Sequence, residues 1–226
     1  MRNRVLIALL GFTAASAYGQ GAGPAITGQP YSADEKTETV RTLADGTHIT
    51  VRSDKGRVYR DSEGRTREEQ TFSRRPGTEA LLVIIINDPI AHTRYILDPA
   101  SKTGRKTSNE IPRANSHPAP RGQSDTPEPK TTIEKLGTQT IEGVLVEGRR
   151  HTTVWPAGSK RGNDQPITEV SEAWRSPELQ VLVLSKNTDL ERGETTHTLT
   201  NISRAEPDPS LFQPPADYTV TEELHH

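Results

Sequence analysis

Two short runs in this chain are apolar on both of the faces a strand presents, and nothing around them repeats with helical spacing. Ala80–Ile86 reads ALLVIII and is stopped by Asp88-Pro89; Leu179–Leu184 reads LQVLVL and follows a Ser176-Pro177 break. Successive side chains of a strand point to opposite faces, so Leu82, Ile84 and Ile86 oppose Leu81, Val83 and Ile85. In the second run Val181 and Val183 oppose Leu182 and Leu184. A sheet with two apolar faces needs cover on both. Four such side chains left wet would forfeit about 6–12 kcal/mol, comparable with the roughly 5–15 kcal/mol stability of a whole domain. Helices are the usual cover, yet no stretch of 12 or more residues holds a helical period. The cover must come from the sheet curling on itself, from the segment Ser108–Lys130, from the tail Leu211–Tyr218, or from an apolar ligand.

The rest of the chain reads as strands. Its 28 threonines favour extended structure, and its ten aromatics leave little for a conventional core. Thr37–Leu43, His48–Ser53, Arg57–Asp61 and Thr66–Phe72 alternate apolar or β-branched residues with charged ones. Asp45-Gly46, Asp54-Lys55-Gly56 and Asp61-Ser62-Glu63-Gly64 separate them as hairpin turns. Ser32–Glu35 fits a helix capping box at the entry to the first strand. Ala80–Ile86 pairs with Ile90–Leu97. From Ser108 to Lys130 the chain carries five prolines and almost nothing apolar, as a linker or surface excursion does. Strands resume at Thr131–Leu136, Thr138–Ile141 and Val144–Trp155, with turns at Gly137 and Gly143 and a bulge at Gly148. Ile167–Trp174, Leu179–Leu184 and Glu194–Arg204 follow. Asp208-Pro209 is a good cap and first residue for a short helical turn, and Tyr218–Thr221 adds a last strand. The expected architecture is mainly β: one strongly curved antiparallel sheet of about ten strands, with few short helices.

The N-terminus is an address. Arg2 and Arg4 precede the 13-residue apolar stretch Val5–Ala17, and Ala15-Ser16-Ala17 offers a small-x-small cleavage site. Residues 1–19 therefore read as a signal peptide and 20–31 as an extended Gly/Pro/Ala-rich arm. Residues 32–221 read as a single β domain of two meanders, 32–107 and 131–221, joined by the 108–130 linker. No later segment approaches a membrane span. The chain has no cysteine, so disulfides, thiol chemistry, Cys-based zinc sites and lipid attachment to a Cys are excluded. An exported domain that folds without disulfides suits a bacterial periplasm, or secretion, better than a eukaryotic route. A net charge of −2 gives no basic excess for nucleic acid.

The run Thr131–Val146 with its Leu136-Gly137 turn, the strand Trp174 leading into Leu179–Leu184, and the ending Asp208-x-Ser210-Leu211-Phe212-x-x-Pro215-x-x-Tyr218 resemble the LolA-like/RseB-like periplasmic lipoprotein-carrier superfamily. The resemblance covers Thr131–Tyr218, and the first half in strand order. It implies a half-barrel whose apolar concave face holds acyl chains under a helical lid. This chain departs at the lid, where the proline-rich 108–130 cannot form helices.

Catalytic patterns fail individually. His48, His92, His117, His151 and His197 have no metal-ligand spacing. No Gly-x-Ser-x-Gly elbow exists, and Glu68 and Glu69 point to opposite strand faces. The chain is expected to be no enzyme and to need no cofactor. Two readings stay open: a carrier or sensor of an apolar ligand, and a structural or interaction protein of the envelope with a closed β core. The partners are accordingly a lipid or lipoprotein acyl chain, or an envelope protein. In the carrier reading Ile84, Ile86, Trp174, Val181 and Val183 form the apolar lining.

Overall fold

The computed structural model describes residues 25–72, 80–108, 126–190 and 193–223. The expected signal peptide, residues 20–24 of the expected arm and residues 109–125 of the expected linker lie outside them. The first meander comprises β1 (Tyr31–Thr42), β2 (His48–Arg60), β3 (Thr66–Phe72), β4 (Leu81–Asp88), β5 (Thr93–Asp98) and β6 (Thr103–Ser108). The second comprises β7 (Lys130–Ile141), β8 (Val144–Trp155), β9 (Ile167–Ser176), β10 (Val181–Asp189) and β11 (Gly193–Ser203). A 3₁₀ turn, Pro209–Phe212, and β12 (Thr219–Glu222) close the described chain.

All twelve strands form one sheet in the order β12-β6-β5-β4-β3-β2-β1-β11-β10-β9-β8-β7. The sheet is curved and open rather than closed into a barrel. The meanders fuse where β1 lies antiparallel to β11, Thr37 opposite His197. One pair is parallel: β12 beside β6.

Several expected turns are strand instead. Asp54-Lys55-Gly56 lies inside β2, a single 13-residue strand. Gly56 is there for closeness, since a Cβ at that position would lie 2.5 Å from the Glu69 carbonyl oxygen. Leu136-Gly137 is likewise no turn but a one-residue register shift within a continuous β7. The bulge expected at Gly148 lies opposite it, with the extra residue on β7 between Lys135 and Gly137, and Gly148 itself lies beneath Trp174, whose ring would sit 2.5 Å from an added Cβ. Ser32–Glu35 is strand from its first residue, because β1 is paired on both sides. Asp45-Gly46 and Asp61–Gly64 do turn the chain, with Gly46 and Gly64 both at φ 85°.

The doubly apolar strands find their cover in two ways. On β4, Ile84 and Ile86 pack with Leu97 and Phe212, and Tyr59, Tyr95, Leu211 and Tyr218 close the cluster. The C-terminal tail is therefore the lid of that face, held by Arg67 Nη1 donating to the Leu211 carbonyl at 3.0 Å. The Asp208 side chain caps the tail's 3₁₀ turn by accepting from the Ser210 N–H at 2.8 Å, and Pro209 starts it. On β10 the cover is the sheet itself. Val181 and Val183 join Tyr31, Ala33, Val144, Val146, Leu179 and Leu199. A register shift between Leu182 and Leu184 places Val181 opposite Ser176 and Leu184 opposite Trp174, so β8 and β9 contribute to the same cluster. Neighbouring Val58 and Tyr59 pack into different clusters, which puts the clusters on opposite faces of β2.

Candidate functional site

Cross-strand partners share a face, so the register traces one row of side chains over most of the sheet. Lys135 lies opposite Arg149, Arg149 opposite Ala173, and Ala173 opposite Ser185. Ser185 then faces His197, His197 faces Thr37, and Thr37 faces Asp54. Glu35, Val58 and Glu68 extend this face toward Val83, Ile85 and Ile96.

At the β1–β11 seam this face is the sheltered one, with the Glu35 and His197 side chains only 20% and 15% exposed. On the opposite face of the same strands Arg57 is 63% and Lys36 48% exposed. The curl also brings the β9–β10 turn to β2, where Arg60 Nη2 donates to the Leu179 carbonyl at 2.6 Å. The Arg60 guanidinium is fully buried: Nε and Nη2 donate to the Gln29 carbonyl, Nη2 also to that of Leu179, Nη1 has no hydrogen-bond partner, and the group stacks 4.8 Å from the Tyr31 ring centroid. Burial pushes the Tyr31 phenol up to about 12.

The centre of the inner face is polar. His197 Nδ1 sits 3.3 Å from Glu35 Oε1 and 3.3 Å from the Thr37 hydroxyl. Burial first, then the Glu68 and Asp54 carboxylates, push the Glu35 carboxyl up to about 7. Burial also raises Glu68, against the pull of Arg94, and lowers His197. Loss of hydration penalises each charged form, so burial disfavours ionisation of all three groups. Adjacent Glu68 and Glu69 point to opposite faces of β3, whereas Glu35 approaches Glu68 across Gly56 through the β1–β2–β3 register, for which the chain carries no local signal. Farther along the same face, a cavity of about 290 Å³ opens over β8 and β9, lined by Glu147, Arg149, His151, Ala173, Arg175 and Pro177. Among the described residues no group of three or more His, Cys, Asp or Glu could hold a metal ion, and no helix is long and apolar enough to cross a membrane.

The five residues expected to line a groove are split. Ile84 and Ile86, 5% and 0% exposed, are sealed under the tail on the outer face and present no surface on the inner one. Val181 and Val183 are interior to the other cluster, and Trp174, partly buried, packs against it. The aliphatic side chains on the inner face of β4 and β5 are Val83, Ile85 and Ile96, the opposite face from Ile84 and Ile86.

No sequence family matches the chain, and no curated protein matches it. Solved structures do resemble it. An uncharacterized conserved protein from Thermus thermophilus is 11% identical, with 86% of this chain and 91% of that one covered and a TM-score of 0.45. MucB is 10% identical over 87% of this chain and 61% of its own, with a TM-score of 0.43. LprF from Mycobacterium bovis is 16% identical over 80% and 90%, with a TM-score of 0.33.

Proposed function

We propose that this chain is an exported, non-enzymatic binding protein of the cell envelope that holds an amphiphile, a lipid or acyl chain with a polar end, on its inner face. One observation carries this reading: an open curved sheet whose inner face joins an aliphatic patch, Val83, Ile85 and Ile96, to a half-buried polar centre at Glu35, Glu68 and His197. A purely structural sheet gains nothing from burying carboxylates, whose desolvation opposes folding. An amphiphile needs both surfaces, the aliphatic one for affinity at roughly 25 cal/mol per Å² and the polar one for orientation.

The test is displacement of a fluorescent fatty acid from the purified mature protein, with native mass spectrometry of protein taken from the periplasm. Ile85→Asp places a charge on the open face and should abolish probe binding while leaving the fold intact. Ile84→Asp, directed into the sealed cluster, should unfold the protein instead. A folded parent protein with no co-purifying lipid and no displaceable probe ends this reading.

A further inference from the structure

β7 and β8 carry opposite charge logic on their two faces. On the outer face Glu134 lies opposite Arg150, which donates to it at 3.1 Å and to Glu172 of β9 at 2.8 Å. One residue along, on the inner face, Lys135 lies directly opposite Arg149. Like charges directly opposed destabilise an antiparallel pair. Arg149 makes no hydrogen bond or ion pair among the described residues, whereas its chain neighbour Arg150 has two carboxylates. The residue facing Arg149 on β9 is Ala173, the smallest side chain of the row, and the cavity opens over it. His151 and Arg175 complete the ring, with Glu147 directly opposite Arg175.

From this geometry we infer that the hollow over Ala173 is an anion site that takes a phosphate group, with Arg149 as its principal cation, Arg175 and His151 as further N–H donors, and Lys135, opposite Arg149 on β7 and outside the lining, as a neighbouring positive charge. A guanidinium grips a tetrahedral oxyanion with two parallel hydrogen bonds, and Lys135 adds a point charge. A bound phosphate offsets the repulsion between Lys135 and Arg149. The volume, close to the lower end of the roughly 300–1,000 Å³ of small-molecule sites, admits a headgroup rather than a bare ion only. The assignment rests on the amphiphile reading in naming the polar end of its ligand, and the same chemistry would equally take free phosphate.

The experiment follows backbone amide resonances of the mature full-length chain during titration with inorganic phosphate, and separately with dihexanoyl phosphatidic acid below its micelle concentration. Saturable shifts centred on Arg149, Ala173 and Arg175 are expected with both. Tighter binding of phosphatidic acid identifies a lipid headgroup as the source; equal binding identifies free phosphate. Arg149→Gln should weaken binding about tenfold, and Ala173→Leu should fill the hollow and abolish it. Arg150→Gln, on the outer face, should leave it unchanged. Absence of saturable shifts around Ala173 with either ligand, or an Arg149→Gln affinity equal to the parent's, overturns the assignment. If the fatty-acid probe then still binds, the amphiphile reading survives without it. A phosphate response without probe binding has the reverse meaning.

Discussion

His197 Nδ1 lies 3.3 Å from Glu35 Oε1 across the β1–β11 pairing that joins the two meanders, so an acid and a base of opposing pKa tendencies meet at the seam of the sheet. Glu35 binds its proton more tightly in the folded chain, at about 7 against an ordinary 4.5. The stability this contributes is complete below pH 4.5 and is lost as the pH rises through 7, a span of about 3 kcal/mol at most. Glu68, raised by burial, acts in the same direction. His197, lowered by burial, acts oppositely, since its contribution is lost as the pH falls from 6.5 toward its folded value. In urea unfolding, the stability of Glu35→Gln relative to the parent should therefore increase from pH 5 to pH 8. A difference that stays flat with pH contradicts the burial assigned to Glu35.

Phe212 is 2% exposed and closes over Ile84, Ile86 and Leu97. Phe212→Ala should lower stability by about 3–5 kcal/mol, the range for emptying a buried phenyl site. The denaturation midpoint measures it. A loss below about 1 kcal/mol would mean that the tail is not the cover of β4.

At Gly148 even one methyl group meets the Trp174 ring. Gly148→Ala should displace the indole at a cost of about 1–3 kcal/mol, as overpacking does. Trp174 fluorescence should shift to the red in step with the loss. Unchanged emission would place the ring elsewhere.

Lys135→Glu converts the like-charged pair with Arg149 into a complementary one. It should raise stability by about 0.2–1 kcal/mol at low salt, with the gain fading as salt is added. The same variant should lose phosphate binding, so stability and binding move in opposite directions.

Local signals carried the strands and the hairpins far better than the site. Asp45-Gly46 turned as its chemistry requires, Val144–Trp155 is a strand end to end, and the Asp208-Pro209 cap holds its turn. Glycine misled where it served contact rather than conformation: Gly56 and Gly148 look like breakers in sequence but lie in extended strands under close neighbours. Cover for β4 and β10 could be demanded from their two apolar faces, and the tail and the curl were two of the four candidates. Which face each one covered could not be read, because a single register shift, as between Leu182 and Leu184, exchanges faces. The polar centre was illegible for the same reason. Glu35, Glu68 and His197 lie on three strands whose neighbours are fixed by strand order, and β1 beside β11 has no local signal.

That strand order also sets a timetable. Among the described residues β1 is the first strand, yet its pairing with β11 joins Thr37 to a residue 160 positions later. A chain emerging from its N-terminus completes β1 to β6 while the β11-facing edge of β1 waits for nearly the whole second meander. Contacts of such long separation slow folding, and a waiting edge invites pairing with other chains. The residues β1 holds there, Asp34, Glu35, Lys36 and Glu38, are those a naked edge uses to repel strangers, so the charge that looks wasteful in the finished sheet guards the unfinished one.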